Sequence, residues 1–280
     1  MSGIVNLDNY LEYEIVSTTS KGASYKWLIN GLWYKLDMFG YDALAEYICS
    51  KLLAKSNISN FCKYDIVTAM YKGKEVTCSV SSDFRSNNSD SVITLLRLYQ
   101  LNDIDTIYLD KTDIKSSILH LVNTVEHITG LTDFGKYLTA MLEFDTFVLN
   151  EDRHFQNIAV IKDIRGNYKT CPLYDFGLSL ISDIREYSLF DKYTDNIQKV
   201  KCLPFHSDFD TQLSILHELY GRQLYFDFDK EYVDSICKSA LSFYRKEYVD
   251  RVRDVLMHQM ERYPEFFSNP SNMRRTSLFK

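Results

Sequence analysis

The dipeptide Asn30-Gly31 lies between Tyr25-Lys26-Trp27-Leu28-Ile29 and Leu32-Trp33-Tyr34-Lys35-Leu36, and this arrangement constrains the fold of the chain most. Both flanking runs are rich in aromatic and branched residues, and both turn positions tolerate positive φ, so a tight β-hairpin is expected. A second hairpin should form from Tyr64–Tyr71, a turn at Lys72-Gly73-Lys74, and residues 75–80. Between the hairpins, residues 42–55 change to helical periodicity, with Ala45, Ile48, Cys49, Leu52 and Leu53 on one apolar stripe. Residues 13–84 therefore read mostly as β.

After the polar stretch 81–91 the pattern becomes helical. Residues 92–101, 113–129 and 133–149 are the clearest helices, a short β-like insert spans 157–171, and helical patterns then run to about Arg262. The expected architecture is α+β and two-lobed: a β-rich N-lobe over 1–84, a helical C-lobe over 85–268, and a flexible tail over 269–280. A chain of 280 residues that is 45% hydrophobic can bury the core this needs. Its net charge of −6 argues against non-specific nucleic-acid binding, which requires a basic face. Six cysteines without a C-x-x-C pair fit neither a zinc site nor a disulfide framework, and point to a reducing cytosol. No run reaches the ~20 apolar residues that span a bilayer, and the first residues lack a signal-peptide pattern. A cytoplasmic protein without membrane attachment is expected.

The chemistry is carried by Asn150-Glu151-Asp152-Arg153-His154-Phe155-Gln156-Asn157, a hairpin, and then Pro172-Leu173-Tyr174-Asp175-Phe176-Gly177. Phosphoryl transfer needs positioning, a divalent cation over the phosphates, and a carboxylate to orient the attacking hydroxyl. In kinases a base Asp precedes a metal-binding Asn by five residues, and a second metal-binding Asp opens D-F-G. Asp152, Asn157 and Asp175 have that order, and an out-and-back hairpin would return Asp175 to the edge where Asn157 sits. Their oxygen ligands suit Mg²⁺. The tripeptide alone is a weak signal, since Asp133-Phe134-Gly135 is a second copy. That copy opens a helix, so Asp133 reads as an N-cap.

A kinase-like two-lobed fold also requires a lysine on a strand, held by an acid on the following helix. Lys35 ends the first hairpin, and Asp42 and Glu46 lie at the edge of the next helix's apolar stripe; Glu46 has the longer reach. Residues 17–24 (Ser17-Thr18-Thr19-Ser20-Lys21-Gly22-Ala23-Ser24) are small and polar, and their amides could cradle phosphates. His120, His127, His206, His217 and His258 show no ligand spacing. Arg153 and His154 either brace the loop or touch phosphate.

The order Asp152-Arg153-His154-x-x-Asn157 followed by Asp175-Phe176-Gly177 resembles atypical kinases: phosphatidylinositol kinases and, more closely, the bacterial HipA-like serine/threonine kinases. Gly22-Ala23-Ser24-Tyr25-Lys26 is similar to the G-A-Q-x-K loop of that family, Tyr34-Lys35-Leu36 to its lysine strand, and Pro172-Leu173-Tyr174-Asp175 to its P-L-Y-D segment. The resemblance covers roughly residues 17–180 and is nearer to the compact CtkA type, or to toxins whose missing part is a separate protein, than to full-length HipA, whose extra N-terminal subdomain would have no room here. It implies ATP-dependent phosphorylation of a protein serine or threonine, with Mg²⁺ or Mn²⁺. Asp152 would be the base, Asn157 and Asp175 the metal ligands, and Lys35 the ATP lysine paired with Glu46. Ser20, Gly22 and Ala23 would cover the phosphates, and a hinge near residues 78–83, Ser82 included, would meet adenine. Thr18, Thr19 or Ser20 would take an autophosphoryl group. The implied partners are a protein substrate and a separate regulatory or antitoxin protein. The competing expectation is a lipid or small-molecule kinase, which the net charge disfavours for anionic lipid.

Overall fold

A computed structural model describes residues 4–12, 25–85, 87, 89–105 and 113–268. The smaller part is a five-stranded sheet of β1 (Val5–Asn6), β2 (Lys26–Ile29), β3 (Leu32–Leu36), β4 (Tyr64–Tyr71) and β5 (Lys74–Ser82), ordered β1-β4-β5-β3-β2. Helix α1 (Asp42–Leu53) connects β3 to β4. Asn30 and Gly31 adopt φ of 51° and 79°, the left-handed geometry that a two-residue hairpin turn requires. Lys72 and Gly73 do the same between β4 and β5, with φ of 51° and 71°. The two-residue turn sets the register: Lys26 pairs with Lys35, Trp27 with Tyr34 and Leu28 with Trp33.

Pleating then sorts the sheet into two faces. On one, Trp27, Ile29, Tyr34, Leu36, Ala69 and Cys78 close a small core under Leu7. On the other, Lys26, Lys35, Tyr64, Ser79 and Ser81 line a cleft.

The larger part is built from helices α2 (Leu95–Leu101), α3 (Ile114–Thr129), α4 (Phe134–Val148), α5 (Tyr193–Ile197), α6 (Phe209–Tyr220), α7 (Lys230–Ser239) and α8 (Lys246–Arg262). A three-stranded sheet of β6 (Ser91–Thr94), β7 (Ala159–Lys162) and β8 (Tyr168–Thr170) lies at its edge. Helix α4 is buried along almost its whole length and forms the spine of the main core. Phe147 packs against Phe226 at 4.6 Å between ring centroids, and Phe226 against Phe228 at 5.0 Å. The class is therefore α+β, with a small β-rich lobe and a larger helical one.

Three local expectations differ from what forms. Residues 91–94 are a strand, and the helix starts only at Leu95. Pairing of Val92 and Ile93 with Ile161 and Val160 outweighs their helical periodicity, and Thr94 caps α2 by accepting from Arg97 N at 3.2 Å. The stretch 171–192 is not helical, because it is the irregular segment that carries Asp175. Asp133 occupies the N-cap position of α4 but makes no capping bond; its carboxylate pairs with Lys136 at 2.9 Å. Phe134 N donates instead to Glu126 Oε1 at 2.9 Å, so a glutamate from α3 caps the helix.

Candidate active site

Helix α4 ends at Leu149, whose φ of 56° turns the chain sharply into residues 150–157. Asp145, buried on the last turns of α4, organises that loop. It accepts from Asn150 Nδ2 at 2.8 Å and from the Arg153 guanidinium at 2.7 and 3.0 Å. Arg153 is fully buried, and its Nη1 donates to Asn157 O and Tyr174 O, both at 2.9 Å. One guanidinium thus ties the end of the 150–157 loop to the residue before Asp175. This decides between the two roles open for Arg153: it braces the loop. Its charge is compensated by Asp145, and its plane lies 5.1 Å from the Phe176 ring centroid.

Asn157 Nδ2 donates to Asp152 O at 2.9 Å and to Asp152 Oδ2 at 3.3 Å. With its nitrogen committed to Asp152, the amide oxygen is the end of Asn157 suited to a cation. His154 Nδ1 accepts from Gln156 N at 3.2 Å, and its Nε2 lies 3.7 Å from Asp152 Oδ1.

The β7–β8 hairpin returns the chain to the cleft, where Leu173 bridges to Phe61 and Asp175 takes a φ of 60°. Asp175 Oδ1 is 2.6 Å from Lys35 Nζ, and Lys35 Nζ is 3.1 Å from Glu46 Oε1. The second oxygen of Glu46 accepts from Phe176 N at 3.0 Å. One carboxylate therefore holds both the strand lysine and the backbone of the Asp-Phe-Gly turn. Asp42 is occupied elsewhere, accepting from Met38 N and Phe39 N at 2.9 and 3.0 Å, so Glu46 is the acid that meets Lys35.

Electrostatics follow from this crowding. Burial alone would push the Lys35 amine down, but the charges of Asp175 and Glu46 overcome it and hold the amine above its ordinary value. Burial would likewise raise Asp175, yet Lys35 and Lys26 pull its carboxyl well below the usual carboxylate range. Burial pushes Glu46 up despite Lys35, and the adjacent Asp175 charge adds to that rise.

The cleft has a volume of about 670 Å³. Lys35, Glu46 and Asp175 line it, and Trp33, Phe84 and Tyr174 add aromatic surface. The rings of Phe84 and Tyr174 stand 5.5 Å apart. Ser82 is exposed and does not line the cleft: strand alternation turns Ser81 and Asp83 inward and Ser82 outward. Ser20, Gly22, Ala23, Thr18 and Thr19 lie outside the described residues.

Lys26, noted in the sequence only as the end of the Gly22–Lys26 loop, lines the cleft too. Lys26 projects beside Lys35, and burial pushes its amine below the ordinary value, partly offset by the charges of Asp175, Glu46 and Asp152. The signal was present: a two-residue turn at 30–31 pairs position 26 with 35, so the two lysines must share a face.

No protein-family model matches the sequence, and neither does any curated relative. Among solved structures, the proinflammatory kinase CtkA of Helicobacter pylori is similar at 14% identity, over 87% of this chain and 92% of that one, with a TM-score of 0.59. HipA, from a toxin–antitoxin complex of Shewanella oneidensis with HipB and operator DNA, aligns at 12% identity and a TM-score of 0.49; 90% of this chain and 66% of that one are covered. The chain has a protein-kinase-like fold. Within that class the fold is similar to that of the CtkA kinase.

Proposed function

We propose that the protein is a kinase that transfers a phosphoryl group from Mg-ATP to a serine or threonine hydroxyl of a protein. The observation that carries this reading is the Lys35–Asp175–Glu46 contact in the wall of a nucleotide-sized cleft, joined through Arg153 to the Asp152–Asn157 loop.

Lys35 and Lys26 would draw the phosphates of ATP into the cleft, two ammonium groups on adjacent strands matching a polyanion. The Asn157 amide oxygen and the Asp175 carboxylate fit a hard cation, which prefers oxygen donors and completes its shell with phosphates and water. When bound, such an ion neutralises the charge that develops on the transferred group. Asp152, steadied by Asn157, would orient the acceptor hydroxyl and accept its proton. Autophosphorylation at Thr18, Thr19 or Ser20 belongs to the same proposal, as does a separate regulatory or antitoxin partner. No helix among the described residues is long and apolar enough to cross a membrane.

The test is incubation with γ-labelled ATP, Mg²⁺ and a general protein acceptor, followed by mass spectrometry. The reading requires phosphoryl adducts on serine or threonine that vanish in Asp152→Ala and Asp175→Ala. Label persisting in both variants would refute it.

A further inference from the structure

Helix α1 packs on β4 and β5 of the sheet and also reaches the helical lobe. Leu44, Ile48, Cys49, Leu52 and Leu53 belong to the same core as Phe144, Phe176 and Val252, and none of them enters the small core on the outer face of the sheet. Polar contacts repeat the pattern. Tyr41 Oη donates to Leu180 O at 2.9 Å and Ile181 O at 2.7 Å. Tyr232 Oη donates to Lys51 O at 3.0 Å, and Tyr47 Oη meets Ser239 Oγ at 2.8 Å.

Asp37 is the joint. It lies two residues beyond Lys35, its backbone N donates to Thr77 O at 3.0 Å, and its Oδ1 accepts from Ala43 N in the first turn of α1 at 3.0 Å. Its Oδ2 accepts from Tyr244 Oη at 2.6 Å, across 207 residues of chain. One carboxylate thus joins the end of the lysine strand, the start of the glutamate helix and a hydroxyl of the helical lobe. Tyr244 is itself buried, and its ring packs against Tyr248, which packs against Tyr41.

We propose that Tyr244 is a positioning residue for the Lys35–Glu46–Asp175 contact, acting through Asp37. The proposal rests on the kinase reading for its catalytic consequence but not for its structural one. The strand carrying Lys35 and the helix carrying Glu46 meet at residues 37–43, where Asp42 also accepts from Met38 N and Phe39 N, and the Tyr244 hydroxyl ties this joint to the helical lobe through Asp37. An error of an ångström at Lys35 reaches the phosphate directly and falls on the chemical step. The helical lobe, through Tyr244, keeps the ion pair assembled before any ligand enters.

Tyr244→Phe removes the hydroxyl and keeps the ring. Tyr232→Phe removes a hydroxyl bonded to the far end of the same helix and serves as the comparison. We expect Tyr244→Phe to lower kcat about tenfold, with KM for ATP changed less than twofold, while Tyr232→Phe keeps both. Hydrogen exchange without nucleotide should speed up at the amides of residues 43–46 in Tyr244→Phe alone. Wild-type kcat and exchange in Tyr244→Phe would overturn the proposal, as would equal losses in both variants. Should the wild-type protein transfer no phosphate, the kinase reading falls, and the exchange at residues 43–46 still decides the role of Tyr244.

Discussion

The chain contains Asp-Phe-Gly twice, and the two copies share more than their letters. Phe134 and Phe176 are both completely buried in the main core. Both glycines sit where a side chain would collide: a Cβ on Gly135 would lie 2.3 Å from the Tyr220 ring, and one on Gly177 would lie 2.9 Å from Lys35 Nζ. The aspartates separate them. Asp133 stands at the start of a regular helix in an exposed pair with Lys136, of a kind worth at most about 1 kcal/mol. Asp175 sits in a left-handed turn, in a cleft, between two lysines and a glutamate that also grips the next backbone amide. The comparison teaches that Phe and Gly in this motif are packing devices that any crowded junction can use. The chemistry belongs to what faces the aspartate.

The largest test of that contrast removes each aspartate. Asp175→Ala should reduce phosphoryl transfer by about 10²–10³-fold, whereas Asp133→Ala should keep it within twofold. A γ-labelled ATP assay measures both, and equal losses would mean that the two copies are not distinguished by their surroundings. The glycines come next, and they should diverge in kind. Gly135→Ala gains helix propensity of about 1 kcal/mol but overpacks against Tyr220 by about 1–3 kcal/mol. It should lower the melting temperature and leave kcat intact. Gly177→Ala meets the flexible end of Lys35 instead of a ring, so it should keep the melting temperature and lose about tenfold in kcat. Calorimetry beside the rate assay separates the outcomes, and reversed effects would break the comparison.

How much of this was legible beforehand depends on the range of the interactions. The hairpin at Asn30-Gly31 is a local event, and turn length alone dictates that Lys26 faces Lys35. The Asp152–Asn157 bond is equally local, spanning five residues. Glu46 could be preferred to Asp42 on reach, but only coordinates show Asp42 occupied by the amides of Met38 and Phe39. Strand β6 was hidden because its partner β7 lies over sixty residues away and overrides a helical pattern. Arg153 reads as a loop cation until Asp145 and the carbonyls of Asn157 and the more distant Tyr174 are seen to hold it. The Asp37–Tyr244 bond has no sequence signature, since nothing in either segment points to the other. Ser82 follows Ser81 on the same strand, so its side chain turns to the opposite face and is exposed.

The smallest expected effect isolates the charge of Asp175 from its role in transfer. Burial opposes its ionisation, but Lys35 and Lys26 more than compensate, so the folded carboxyl titrates below its unfolded value of 3.8. A carboxyl depressed on folding adds stability above the unfolded pKa, and that stability disappears as pH falls through the folded one. Urea midpoints measured from pH 6 downward should therefore drop below about pH 4 in the wild-type protein, and Asp175→Asn should flatten part of that drop. The residual slope belongs to the other carboxylates. An unchanged acid limb in Asp175→Asn would mean that Lys35 is satisfied by Glu46 alone, and that the second copy of the motif is electrostatically no more distinctive than the first.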